Sequence, residues 1–411
     1  MKKILIICDF FPPDTAPRMG YLCKYLPELG WEPVIIAEKV NQNLFPALIG
    51  NQAVRYVNFY PDKNKYVRKL KRFFTVIADF LFSYKDSVFT KLALQETKQH
   101  HFDLILTSSY RTFPLKAAYN VSRKKNIPLV VDLRDIMEQA MGSEFIHDKL
   151  SGNKYLNNLI IPVYRKKLLS LRNKVLRYAQ HVTTISEWHV QMLKQYNNKV
   201  DLIYNGFDTE LFYPVEKKTH QFKIVYTGKL INLEMRDPTM LFEAVADLSK
   251  KGILNSESCR IQFFTDNKSK HLVDKIAREF SVEEYVDYFD MVPSNLVPDI
   301  LNESSVLLLL TNKSDTGPKG IMTTKFFEYL AVEKPILCVR SDEDCLEKAI
   351  GEAQAGLAAR ETGDVVRFLA EKYEEWKHNG LTTIVLDKTD IQKYKRDYQA
   401  KQFVKIFESL I

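Results

Sequence analysis

The strongest chemical signal in the chain runs from Thr316 to Ala331, Thr-Gly-Pro-Lys-Gly-Ile-Met-Thr-Thr-Lys-Phe-Phe-Glu-Tyr-Leu-Ala. A loop with two glycines enters a helix that Thr323 and Thr324 can cap, and Pro335 opens the next apolar run. The first N–H groups of a helix lack intrahelical acceptors, so such a start attracts anions. Glu328 stands four residues after Thr324, about 6 Å along the axis and on the same face. A phosphate at the helix tip would put a ribose within reach of that carboxylate. The spacing fits a solvated glutamate behind two ordinary caps equally well.

Other candidates close apolar runs. Lys229 follows the run 222–227 and Gly228, and Arg236 stands beside Asp237, with which it could form a surface ion pair of little worth. Arg134 and Asp135 follow Val131-Asp132-Leu133. Asp135 could position or deprotonate a hydroxyl, or form a buried structural pair with Arg134. Arg18 is a further basic candidate for an anionic ligand, and Asp9 and Ser109 also end runs. The eight histidines form no cluster with cysteines or carboxylates at ligand spacing, so no metal is expected. The first run leads into Phe10-Phe11-Pro12-Pro13 with no glycine before Gly20, which excludes a dinucleotide fingerprint, and no Walker loop occurs.

Two parallel sheets would position these residues. Apolar runs at 3–8, 33–37, 103–107, 128–132 and 181–185, then at 222–227, 260–265, 285–289, 305–311 and 335–339, alternate with helical segments, predicting an α/β chain of two doubly wound domains. The turn-rich stretch 204–214 is the expected junction. In such a pair of domains the default ligand site is a cleft beyond the carboxyl ends of the strands.

Length and charge agree with two domains. The chain has 411 residues, 45% hydrophobic and 27% charged, and a net charge of +8. Residues 1–208 carry 31 basic and 18 acidic residues, net +13, and the remainder 28 and 33, net −5. The basic half predicts an anionic partner without naming it. Five scattered cysteines without a C-x-x-C pair read as thiols of a reducing compartment. The short apolar start is too brief for a signal peptide and no run of about 20 apolar residues occurs, so a cytoplasmic protein is expected.

Within the basic half, Lys63, Lys65, Arg68, Lys69, Lys71 and Arg72 interleave with Tyr66, Leu70, Phe73, Phe74 and Ile77 and with no acid. On a helix, 66, 70, 73 and 77 with 67, 74 and 81 form one apolar face bordered by cations, the pattern of an interfacial helix. Residues 149–180 hold eight more cations and no acid, including Arg165, Lys166, Lys167, Arg172, Lys174 and Arg177. Either stretch equally fits the solvated face of a core-packing helix.

The run Lys325-Phe326-Phe327-Glu328-Tyr329-Leu330-Ala331 resembles the donor-site signature of glycosyltransferase family 4, of GT-B architecture. Further similarities follow in order along the chain: 9–18, Gly30-Trp31-Glu32-Pro33-Val34, Val131-Asp132-Leu133-Arg134-Asp135, Thr184-Ile185-Ser186-Glu187, Ile203-Tyr204-Asn205-Gly206-Phe207-Asp208, and Tyr226-Thr227-Gly228-Lys229-Leu230 with Arg236-Asp237-Pro238. The Asp-x-Arg-Asp strand end resembles bacterial polysaccharide members. The resemblance implies a GT-B fold of two Rossmann-like domains facing across a cleft: an acceptor-binding domain at 1–205 with a returning helix at 391–411, and a donor-binding domain at 206–390.

It also implies roles. Glu328 holds the nucleotide ribose. Gly320, Ile321, Met322, Thr323, Thr324, Lys325, Gly228 and Arg18 surround the donor, and Lys229 and Arg236 stabilise the charge that gathers on the leaving diphosphate without a metal. The loops at 264–266 and 289–293 face the nucleobase through backbone groups. Asp135 is the catalytic candidate beside Arg134 and Ser109 on the acceptor side. Two departures stand out. Members often carry a second glutamate where this chain has Gly320, and the first loop has Asp14, Thr15, Ala16 and Pro17 in place of paired glycines.

The expected activity is transfer of a sugar, with retention, from a nucleotide-diphosphate sugar to a hydroxyl of a surface glycan. No cofactor other than that donor substrate is expected. The expected partners are the nucleotide sugar, a glycan or polyprenyl-linked acceptor, and the anionic inner face of the cytoplasmic membrane, contacted by Arg68, Lys69, Lys71, Arg72, Phe73 and Phe74. A nucleotide-sugar epimerase on the same architecture is the first rival. A nucleic-acid-binding protein is the second, and no recognition motif supports it.

Overall fold

The computed structural model describes residues 1–13, 17–40, 45, 48, 50, 52–61, 64–109, 112–139, 154–311, 320–339 and 345–411. They form two compact units, Met1–Tyr204 with Asp397–Ile411, and Asn205–Arg396.

The first unit holds a seven-stranded parallel sheet of β1 (Lys2–Cys8), β2 (Trp31–Glu38), β3 (Ala53–Val57), β4 (Leu104–Ser109), β5 (Leu129–Leu133), β6 (His181–Thr184) and β7 (Val200–Leu202), in the order β3-β2-β1-β4-β5-β6-β7. Its helices are α1 (Pro17–Tyr25), α2 (Lys65–Phe82), α3 (Tyr84–Gln99), α4 (Leu115–Lys125), α5 (Lys154–Tyr178) and α6 (Glu187–Leu193). The central strand β1 pairs with β2 and β4 and is covered on both faces, which is why it reads as a continuous apolar run. Its alternate residues serve two cores: Leu5 and Ile7 meet Phe89 and Val131, whereas Ile4 and Ile6 meet Trp31, Phe403 and Phe407. The last two belong to the end of the chain, where Trp31 and Phe407 stack edge-to-face at 5.4 Å and the Trp31 Nε1 donates to Glu408 at 3.0 Å.

The second unit holds a six-stranded parallel sheet of β8 (Phe222–Thr227), β9 (Cys259–Phe264), β10 (Val286–Phe289), β11 (Val306–Leu310), β12 (Ile336–Val339) and β13 (Gly356–Ala359), in the order β10-β9-β8-β11-β12-β13. Helices α7 (Thr239–Lys250), α8 (Asn267–Glu279), α9 (Val297–Asn302), α10 (Thr324–Ala331), α11 (Cys345–Glu352) and α12 (Thr362–Asn379) connect them. Both sheets have the doubly wound α/β topology of the GT-B class. Strand order reverses beside β8, so the loops after β8 and β11 flank the crevice where such sheets bind ligands.

All ten strands expected from apolar runs are present, each within two residues of its expected bounds. The three that the runs missed, β3, β7 and β13, are all edge strands. Each pairs on one side only, and β3 is only partly covered, so none needs a long apolar run. Cys8, Cys23, Cys259 and Cys338 are buried, and none of the four is in a disulfide.

Candidate functional site

In the second unit the loop after β8 and the start of α10 bring the donor candidates together. Gly228 adopts φ 123°, and its N–H donates to the Phe264 carbonyl at 2.8 Å. A Cβ there would stand 2.8 Å from Lys325 Cε and 2.9 Å from Nζ, so the lysine occupies space that only glycine leaves open. The Lys325 ammonium lies 5.4 Å from the centre of the Tyr226 ring, a cation–π contact. The Tyr226 hydroxyl donates to the Lys229 carbonyl at 3.0 Å, and the Arg236 guanidinium donates to the same oxygen. The Lys229 ammonium is half-exposed, 3.7 Å from Asp266. Asp266 caps α8 by accepting from the Ser269 N–H at 3.0 Å, and it is held below the usual carboxylate range by Ser269 and then Lys229. Asp237 accepts from the Thr239 N–H at 2.8 Å just before α7, while Arg236 turns toward Lys229.

Thr323 occupies the cap position of α10, but its side chain makes no capping bond. The cap therefore does not consume the N–H groups that an anion would need. Thr324 is exposed, Ile321 half-buried, and Met322 buried; Gly320 is buried at φ 71°. Thr316 to Lys319 lie outside the described residues. The Phe264 and Phe289 rings, in the loops expected to face the base, stack at 4.7 Å.

Glu328 and Lys325 share one turn of α10. Burial pushes the Glu328 carboxyl up to about 7, against the pull of Lys325 and Arg396. Burial and then Arg236 push the Lys325 ammonium down to about 8, against Glu328. Both shifts disfavour charge, so the ligand-free pair is destabilising. From pH 4.5 to about 7 the folded chain keeps a proton on Glu328 that the unfolded chain loses, so stability falls as pH rises. From about 8 to 10.5 the unfolded chain keeps a proton on Lys325 that the folded chain lacks, so stability rises. The pair's contribution is expected to be weakest between about pH 7 and 8. Melting curves across this range should lose that dip when Lys325→Met is combined with Glu328→Gln, and superimposable profiles would contradict it.

Arg396 is a cation that motif reading missed. It is buried, and its N–H donates to the Phe207 carbonyl at 3.1 Å, so the turn at 205–208 holds it near Glu328. Tyr394 beside it packs on Phe326 and Phe327.

The first unit places its candidates differently. Arg18, expected to meet the donor, is buried: its guanidinium forks onto Asp132, with Nη2 at 2.9 Å, and donates to the carbonyls of Ile203 and Tyr204 at 2.8 and 2.7 Å. Asp132 also accepts from Ser108 and Thr183, at 2.9 and 2.8 Å. Within this unit the Arg18 guanidinium is thus tied to Asp132 and to two backbone carbonyls. Arg134 pairs with Asp9 rather than standing free. The Ser109 hydroxyl donates to the Phe113 carbonyl at 2.8 Å and holds the loop after β4. Asp135 is half-buried next to Arg134, on which its charge acts.

Helix α2 has no buried residue. Asn64 caps its start, accepting from the Tyr66 N–H at 2.9 Å, and Lys167 of α5 donates to the Phe80 and Leu81 carbonyls at its end. Between these ties Tyr66, Leu70, Phe73 and Phe74 are exposed, with Arg68, Lys69, Lys71 and Arg72 among them. The second basic stretch is unlike it. Arg172 is fully buried in a bidentate pair with Glu138 at 2.6 and 2.7 Å, and Val175 and Leu176 enter the core. There the core-packing reading holds.

Residues 18–211 match the model of Glycosyltransferase Family 4. The matched segment spans a little under half of the chain. It contains Arg18, Arg134, Asp135, Ser109 and α2, while Glu328 and Lys325 lie beyond it. No curated protein matches the chain in sequence. Solved structures share the fold over the whole chain: sucrose-phosphate synthase from Thermosynechococcus elongatus (13% identity, TM-score 0.62, covering 100% of this chain and 99% of that one) and Anabaena HepE in complex with UDP (12%, 0.61, 100% of both). A putative UDP-N-acetylglucosamine 2-epimerase from Listeria monocytogenes is also similar (11%, 0.56, 100% and 96%), so the fold alone does not separate transferase from epimerase. Among the described residues no helix is long and apolar enough to cross a membrane, and no group of three or more His, Cys, Asp or Glu could hold a metal.

Proposed function

We propose that the chain moves a sugar, with retention, from a nucleotide-diphosphate sugar to a hydroxyl of a lipid-linked surface glycan. The observation that carries this reading is the second unit's cluster: Lys325 and Glu328 on one turn of α10, with Lys229 and Arg236 on the loop after β8. Glu328 takes the ribose hydroxyls. Lys229, Arg236 and Lys325, with the N–H groups of α10, take the diphosphate. In the reaction the bond from the anomeric carbon to the phosphate oxygen breaks and its electron pair leaves with the nucleoside diphosphate. The acceptor oxygen bonds to that carbon, and its proton passes to the departing phosphate. The cations stabilise the charge that develops there. Asp135, beside Arg134, orients the acceptor hydroxyl, and backbone groups from Gly320 to Thr323 read the sugar in place of the glutamate that family members often carry.

The acceptor's lipid requires a membrane, and the exposed α2 supports one at its anionic inner face. An epimerase would have no use for that surface. A thermal-shift panel of nucleotide sugars tests the reading. A cognate donor at 100 times its Kd should raise the melting temperature by roughly 5–10 °C. No shift with any member would overturn it, and sugar isomerisation without an acceptor would favour the epimerase.

A further inference from the structure

Six non-glycine residues among those described adopt positive φ. Five of them, Ser83, Asn126, Ser281, Glu333 and Gln354, follow helix ends, where one left-handed residue commonly closes the last turn. Ile231 is the sixth, at φ 68°, in the loop between β8 and α7. Across it the Asn232 N–H donates to the Leu230 carbonyl at 2.8 Å, closing a three-residue turn of the rare form with positive φ at its centre. Such a φ is costly for any side chain and most costly for a β-branched one. Glycine, asparagine or aspartate would hold the same turn with little strain.

The neighbours explain the turn but not the isoleucine. Leu230 is fully buried and its N–H donates to Ser269 Oγ at 3.0 Å. Asn232 accepts the Arg236 N–H on its carbonyl at 3.1 Å and the Met235 N–H on its side chain at 2.9 Å. These anchors fix the backbone between Lys229 and Arg236. Ile231 itself is 45% exposed, so burial does not offset the strain. A branched apolar side chain is held in solvent, against the preference of its own backbone, two residues from Lys229. Strain of this kind persists where surrounding structure over-determines it, and it clusters at ligand sites.

We propose that Ile231 is a donor-specificity residue whose aliphatic side chain packs on the C–H face of the transferred sugar. The inference rests on the reading of this loop as the diphosphate site. The sugar is bonded to the phosphate that Lys229 and Arg236 would hold, so its ring lies within a few ångströms of this loop. Sugar rings present patches of C–H bonds that an aliphatic group covers and a small polar side chain does not.

The test compares wild type with Ile231→Asn and Ile231→Val by calorimetry. The probes are UDP-glucose, UDP-galactose, UDP-N-acetylglucosamine, GDP-mannose, and free UDP and GDP. Ile231→Asn should raise the melting temperature by about 2–4 °C as strain is released. It should also weaken the preferred nucleotide sugar by roughly 10-fold and leave the free nucleotide unchanged. Ile231→Val should keep wild-type affinity. Equal sugar-nucleotide affinity in wild type and Ile231→Asn, or an equal loss for the free nucleotide, overturns the inference while leaving the donor site intact. If wild type binds none of the six probes, the donor-site reading fails and the inference falls with it.

Discussion

Glu328→Ala is expected to weaken nucleotide-sugar binding by roughly 10- to 100-fold, because hydrogen bonds that ribose hydroxyls donate to a carboxylate are each worth about 1.5–3 kcal/mol. A second effect opposes this one. Removing the carboxylate leaves Lys325 and Arg396 without the charge that offsets them, which raises the positive potential and favours a diphosphate. The loss is expected to win, because the phosphates keep Lys229 and Arg236 in both proteins whereas the ribose loses its partner outright. Inorganic pyrophosphate separates the two effects. Glu328→Ala should bind pyrophosphate as well as wild type or better, and the nucleotide more weakly. Unchanged nucleotide affinity in calorimetry, or equal losses for nucleotide and pyrophosphate, would remove Glu328 from the ribose. Far-UV circular dichroism should be unchanged, since α10 keeps Phe326, Phe327 and Tyr329 in the core.

What the sequence revealed of this site follows the reach of local spacing. Lys325 and Glu328 share a helical turn, so one short run of residues carries their relation, and the gap from Lys229 to Arg236 lies within one loop. Tyr226 and Arg396 join the same cluster through the fold: one lies under Lys325 on β8, the other is delivered by the turn at 205–208. No local spacing relates either of them to Lys325. Arg18 shows the converse. Its place in the helix after the first strand reads as a ligand contact, and only the fold shows that its guanidinium also pairs with Asp132, which accepts from Ser108 and Thr183 as well. Burial separates the two basic stretches in the same way. Their charge counts are alike, but Glu138 takes Arg172 of α5 into the interior, whereas α2 has no buried residue. The central strands were legible because they are covered on both faces, and three of the four edge strands were not because half their pairing is missing.

Replacing Arg68, Lys69, Lys71 and Arg72 together with glutamine should reduce partition onto anionic vesicles by about a thousandfold, since each basic residue near such a surface contributes about 1 kcal/mol. Turnover of a water-soluble acceptor should stay at the wild-type level, because α2 contributes no residue to the cluster around Lys325. Phe73→Ser with Phe74→Ser tests the other half of the surface. Both rings are more than half exposed, and sinking that remaining area into lipid is worth about 1 kcal/mol each, so roughly a tenfold to thirtyfold loss is expected. The two variants differ in their response to salt. Wild-type binding and the Phe73/Phe74 variant should both weaken as ionic strength rises, because exposed charges are screened beyond about 10 Å at 0.1 M. The charge variant should be nearly indifferent to salt and to the fraction of anionic lipid. Equal vesicle binding by wild type and the charge variant would leave the exposed face of α2 without a membrane role. Loss in the charge variant alone would assign it to electrostatic attraction without insertion. Loss in both, with only one salt-dependent, is what an interfacial helix requires: cations that find the surface and aromatic rings that enter it.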